Sequence, residues 1–271
     1  MNSPDPAAVS RTYLKFYMKK IKIFDSIKDL NHFAAEKLIE IGGEAVVGCG
    51  QFTIALAGGS TPKSLYRLIS GDEYKNKLDW SKVFFFFGDE RNVAPEDRES
   101  NFRMANENLF TPLEISDANI FRWQTEIKNA KTVAAKYEST LRNFFAGKNK
   151  SLDSENAFGL PRIDLILLGM GDDGHTASLF PFTEALQETE KITAANPVEK
   201  LDTIRLTLTF PVINNGRNVI FLVKGADKAE TLREVLEGEF QPDKYPSQSV
   251  KLHGGELLWL VDEQAAALLD G

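Results

Sequence analysis

His175 closes a glycine-rich stretch, Gly169-Met-Gly-Asp-Asp-Gly-His175, two residues after Asp173. A carboxylate beside an imidazole fixes its tautomer and raises its basicity. That combination equips His175 as a general base with Asp173 as its partner. The other two of the chain's three histidines are placed less suggestively. His32 falls on the polar side of an amphipathic stretch, and His253 adjoins Gly254-Gly255, as surface or turn residues do. The same stretch matches G-x-G-x-x-G at Gly169, Gly171 and Gly174. Asp172 and Asp173 inside it would repel a pyrophosphate, and no βαβ unit of the usual length follows, so a dinucleotide site is disfavoured.

Three other segments carry chemistry. Ala57-Gly-Gly-Ser-Thr-Pro-Lys63 lies between an apolar run and a short amphipathic one. Gly58 and Gly59 let the backbone approach a ligand, Ser60 or Thr61 suits a helix cap, and Pro62 suits the first helical position. Backbone N–H groups at such a helix start favour phosphate, although an ordinary capped turn would read the same way. Gly88-Asp-Glu-Arg91 ends the most apolar run in three charges; Asp89, Glu90 and Arg91 could bond sugar hydroxyls and an oxyanion. Ser100-Asn101, just beyond, either supports that site or caps the next helix. Arg205, read as the start of a strand, and Lys228, read as the start of a helix, gain meaning only if they converge on Gly58–Thr61. Scattered histidines and one cysteine, Cys49, supply no metal-ligand spacing. No G-x-S-x-G elbow is present for a serine nucleophile at Ser60 or Ser178.

These residues need a scaffold. Apolar runs predict strands over 21–24, 52–57, 83–87, 119–123, 164–168, 192–194, 205–209, 219–223 and 257–261. Val83-Phe-Phe-Phe-Phe87 and Leu165-Ile-Leu-Leu168 are apolar on both faces, as strands covered on both sides are. Helical spacing covers 27–42, 132–145 and 227–236. The alternation predicts an α/β fold, an open, mainly parallel, doubly wound (modified Rossmann-like) sheet with helices on both faces. In such sheets ligands bind beyond the carboxyl ends of the strands, where the four segments fall. Residues 1–20 read as a loose extension and 21–271 as a single domain, with Met18 an alternative start; 146–161 reads as a polar loop.

The chain of 271 residues has a formal net charge of −7, which argues against nucleic-acid binding. An anionic ligand would therefore need positive charge concentrated locally. No run approaches the ~20 apolar residues of a membrane span, and Met1–Lys20 has no secretory apolar region. One cysteine, read as a small residue in a Gly-flanked loop, excludes an internal disulfide and suits the cytoplasm. The expected assembly is a monomer or small homo-oligomer.

Leu56-Ala-Gly-Gly-Ser-Thr-Pro62, Gly88-Asp-Glu-Arg-Asn-Val93 with Ser100-Asn101, Gly169-Met-Gly-Asp-Asp-Gly-His-Thr-Ala-Ser178 and Arg205-Leu-Thr-Leu-Thr209 occur in one order. Together they resemble the 6-phosphogluconolactonases, in a superfamily shared with glucosamine-6-phosphate isomerase/deaminases; the resemblance runs from about Ile21 to Leu269. It implies hydrolysis of 6-phospho-D-glucono-1,5-lactone to 6-phosphogluconate in the oxidative pentose phosphate pathway, with a small sugar-phosphate lactone as the ligand and no cofactor. By motif position His175 resembles the water-activating base, Asp173 its carboxylate, and Arg91 a substrate-binding arginine beside Asp89. Ser60, Arg205 and Lys228 match phosphate-contact positions. We expect the phosphate at Gly58–Thr61 with Arg205 and Lys228, and the lactone carbonyl near His175 and Arg91. Two rivals share much of this equipment: an amino-sugar-phosphate isomerase/deaminase, and a non-enzymatic sugar-phosphate sensor. The sequence Thr176-Ala-Ser-Leu-Phe-Pro181 is the lactonase form, and the chain has no spare length for a sensor's second module.

Overall fold

The computed structural model describes residues 20–146 and 159–270. The expected extension before Lys20 and most of the polar 146–161 segment lie outside them. Lys20 itself opens the first strand.

Six strands form one sheet: β1 (Lys20–Phe24), β2 (Phe52–Leu56), β3 (Val83–Phe87), β5 (Leu165–Leu168), β8 (Asn218–Val223) and β9 (Glu256–Asp262). Their order is β1-β9-β8-β5-β2-β3 and every pairing is parallel. Every residue of β2 and β5 is buried, as expected for strands covered on both faces. In β3 the period of two sends Phe85 and Phe87 against Phe110, and Phe84 and Phe86 against Phe121 and Phe144.

The chain steps outward from β2 to β3, then returns across β2 to β5 before continuing to β8 and β9. The topological switch point therefore lies between the neighbours β2 and β5. A crevice outside their carboxyl ends is where this architecture binds ligands.

A second, antiparallel sheet has the order β4-β7-β6, from β4 (Asp89–Arg91), β6 (Thr193–Val198) and β7 (Thr203–Leu208). It begins one residue after β3: Gly88 accepts from Leu208 N at 2.8 Å, which passes the chain from one sheet to the other. Two of the expected strands therefore leave the main sheet, and the charged turn after β3 is itself a strand. Residues 119–123 are not a strand. Ile120 makes one isolated bridge to Phe85, and Trp123 then stacks on Tyr137 at 3.9 Å, which draws the chain away from the sheet edge.

The first helix, α1 (Ile27–Cys49), is capped by Ser26 and stopped by left-handed Gly50. It outruns the expected end at Gly42, because a glycine costs a helix only about 1 kcal/mol. Cys49 is thus the exposed last residue of a helix rather than part of a loop. Of the remaining helices, α2 (Ser60–Ile69) and α3 (Asn101–Ala105) start beside the site. The other α-helices among the described residues are α4 (Ala130–Phe145), α5 (Phe210–Ile213) and α6 (Ala229–Leu236). Among the described residues no helix is long and apolar enough to cross a membrane.

Candidate active site

Two buried tyrosines anchor the strand ends that lead into the switch point. Tyr66 accepts from Ala57 N at 3.0 Å and donates to Ala57 O at 2.9 Å. Tyr137 does the same at Phe87, accepting from its N at 2.8 Å and donating to its O at 3.2 Å. Beyond Ala57 the chain turns through Gly59, whose φ of 100° and ψ of 176° suit only glycine, and α2 starts at once. The cap is therefore Gly59 rather than Ser60 or Thr61, and Pro62 is the third helical residue. No side chain caps this end, so its first backbone N–H groups remain for an anion.

Beyond Phe87, β4 separates its two carboxylates. Glu90 is only 3% exposed. It accepts from the backbone N–H of Arg91, Asn101 and Phe102 at 2.7, 2.7 and 2.8 Å, and so holds the start of α3. Burial pushes its carboxyl above the usual range against those bonds. Glu90 is a scaffold residue, not the sugar ligand that its neighbours suggest. Asp89 lines the pocket instead, held by Ser178 Oγ at 2.7 Å and Asn101 Nδ2 at 3.2 Å. Ser100 caps α3 through Arg103 N, so the Ser100-Asn101 pair does both expected jobs.

The loop after β5 folds back on itself. Gly171 N donates to His175 O at 2.9 Å, and Asp173 Oδ1 accepts from His175 N at 3.1 Å and meets Nδ1 at 2.6 Å. A carboxylate can only accept, so Nδ1 carries the proton and Nε2 is left without one. Gly171 makes room for this: a Cβ there would lie 2.0 Å from His175 Nδ1. Phe180 stacks on the imidazole at 4.1 Å. Contrary to the expected rise in basicity, the imidazole is pushed down to about 4. Burial is the main cause; Asp89 and Asp172 oppose it, and Lys228 and Arg205 add to it. His175 is therefore neutral at pH 7.

Arg205 lies within β7 rather than at its start, directly opposite Arg91 of β4. Like charges in register repel. Burial, and then Arg91, lower the pKa of Arg205. Its buried Nε has no hydrogen-bond partner among the described residues. A bound anion would relieve both faults at once.

One pocket of about 370 Å³ is lined by Gly58, Gly59, Asp89, Arg91, His175 and Arg205, among others. Ser60 and Thr61 follow in the first turn of α2, Asp173 stands behind the imidazole, and Lys228 acts on it from the turn after β8. Sequence reasoning missed Lys200, Phe180 and the support given by Ser178. Lys200 lines the pocket and binds Asp173 Oδ2. It lies 27 residues from that partner, so no local pattern marks it. Among the described residues no group of three or more His, Cys, Asp or Glu side chains is placed to hold a metal ion.

Residues 25–259 match the family model for glucosamine-6-phosphate isomerases/6-phosphogluconolactonase. A 6-phosphogluconolactonase of Synechocystis sp. is 42% identical over 82% of this chain and 86% of its own. One from Nostoc sp. is 44% identical over 81% and 85%. The solved 6-phosphogluconolactonase of Trypanosoma brucei superposes with a TM-score of 0.80 at 30% identity, over 94% of this chain and all of its own. With the sheet order, the switch-point pocket and these matches agreeing, the chain belongs to the glucosamine-6-phosphate isomerase/6-phosphogluconolactonase family.

Proposed function

We propose that this chain hydrolyses 6-phospho-D-glucono-1,5-lactone to 6-phospho-D-gluconate, with His175 as general base. The observation that carries the reading is the joint opening of two groups into one pocket: a neutral, carboxylate-oriented imidazole and an in-register pair of arginines.

In this reading the phosphate sits at the start of α2, against Arg205 and Arg91, and fixes the ring from a distance. The sequence leaves open which end of the ligand Arg91 meets; its register with Arg205 favours one shared anion site. Lys228 adds positive charge beside the imidazole. His175 Nε2 takes a proton from water as the water oxygen attacks the lactone carbonyl carbon. The tetrahedral oxyanion collapses, the ring C–O bond breaks, and the imidazolium returns the proton to the departing ring oxygen. The acid product then ionises. Asp173 keeps Nδ1 protonated throughout and offsets the imidazolium while it lasts. A strained ester needs no more than a positioned water, a base and charge stabilisation.

The test is lactone hydrolysis, corrected for spontaneous opening, for the wild type and His175→Gln. Loss of the base should lower kcat by about 10²–10⁴-fold with a much smaller change in KM. Undiminished turnover in the variant would remove His175 from the mechanism. Ammonia release from glucosamine 6-phosphate would favour the isomerase/deaminase reading instead.

A further inference from the structure

The turn Glu199–Leu201 joins β6 to β7, the strand that carries Arg205. From this turn Lys200 reaches the pocket wall. Its Nζ binds Asp173 Oδ2 and lies 5.0 Å from the centre of the Phe180 ring. Asp173 is thereby held on both oxygens: Oδ1 by the ring and backbone of His175, Oδ2 by Lys200. Phe180 is likewise held, with the imidazole stacked at 4.1 Å and the ammonium nearby. Two separate contacts therefore tie Lys200 to the groups that orient His175, although it does not touch the imidazole through any hydrogen bond.

We propose that Lys200 is a positioning residue for the reaction: it clamps the far oxygen of Asp173 and the Phe180 ring, and offsets the charge of the carboxylate on which the imidazole hangs. The proposal rests on the reading of His175 as the base.

The charges around His175 show what the clamp would do. Asp89 faces it from β4, Asp172 from its own loop, Arg205 from β7 and Lys228 from the turn after β8. Asp173 is the carboxylate in direct contact. With Lys200 present, much of the Asp173 charge is offset by the ammonium. Without it, the carboxylate acts on the imidazole undiluted and favours the protonated form. The base would then titrate at a higher pH, and the carboxylate would have one fewer tether.

The experiment is the pH profile of kcat/KM for wild type, Lys200→Met and Lys200→Arg, with the His175 ring resonance followed by NMR. The chain has three histidines, so His175→Gln identifies that resonance. Lys200 is half exposed, so its removal opens no core; a melting curve of each variant verifies the fold. In Lys200→Met the acid limb and the ring titration should both move up, by up to about one pH unit, with kcat reduced at neutral pH. Lys200→Arg, which still pairs with a carboxylate, should restore both. An unmoved limb and an unmoved ring titration overturn the proposal, and a rise in KM alone would then mark Lys200 as a substrate contact. The two readings fail separately. If His175→Gln is inactive and Lys200→Met titrates as wild type does, only the Lys200 assignment is lost. If His175→Gln keeps full turnover, the base is lost and the assignment falls with it.

Discussion

Gly171→Ala is the sharpest single-methyl test of the imidazole's placement. A Cβ at this position would lie 2.0 Å from His175 Nδ1, 2.3 Å from Cε1 and 2.7 Å from Asp173 Oδ1. Carbon atoms do not approach other heavy atoms within about 3 Å without large repulsion, so the ring would have to retreat by roughly 1 Å. It has little freedom to do so, because Phe180 covers one face at 4.1 Å and the 2.6 Å contact to Asp173 pins the edge. Either the loop shifts or that bond breaks. A misplacement of about 1 Å in a catalytic constellation costs about 10²-fold in rate, and full loss of the base up to about 10⁴-fold. Loss of the charged hydrogen bond would cost about 1.5–3 kcal/mol of stability. The assay is kcat and KM for the lactone, corrected for spontaneous hydrolysis, with thermal melting of the same samples. Gly169→Ala is the contrast: it lies in the same motif, yet its added Cβ would meet nothing within 4 Å. Gly169 lines the pocket, so its loss should fall mainly on KM, with kcat reduced less than about tenfold. A folded Gly171→Ala enzyme with kcat within about threefold of wild type would refute the reasoning, whatever Gly169→Ala does.

Two further outcomes are expected. The imidazole titrates at about 4 in the fold against 6.5 unfolded, so the unfolded chain binds the extra proton between those values. The stability from keeping His175 neutral is complete above about pH 6.5 and is lost as pH falls towards 4, up to about 3 kcal/mol. Denaturant unfolding of wild type and His175→Gln across that window should show the steeper decline in the wild type; parallel curves would contradict the assignment. Inorganic phosphate should raise the melting temperature of the wild type by mass action, and Arg205→Met should abolish most of that shift and raise KM by about 10–100-fold. Equal phosphate shifts in the two proteins would dissociate the arginine pair from the anion.

Much of the molecule was legible from local pattern. A run such as Val83–Phe87 can only be a strand covered on both faces, and both faces are covered. Strand ends are marked by glycines and charges, so the segments after β2, β3, β5 and β8 declared themselves, and the parallel sheet then gathers their ends. The closeness of Asp173 to His175 is legible too, because two residues in one tight loop must meet. What could not be read is whatever depends on partners distant in sequence. Arg91 faces Arg205 only because β4 leaves the main sheet and pairs with β7 in one register. Glu90 and Asp89 are neighbours of like chemistry, yet one supports a helix and the other lines the pocket. Lys200 meets Asp173 through a turn that no motif marks. The imidazole's titration runs opposite to expectation, since a neighbouring carboxylate is a local fact whereas burial is a property of the whole packing. Periodicity and turn chemistry act over a few residues and so can be read along the chain. Register, desolvation and the summed field of distant charges exist only once the chain has closed on itself.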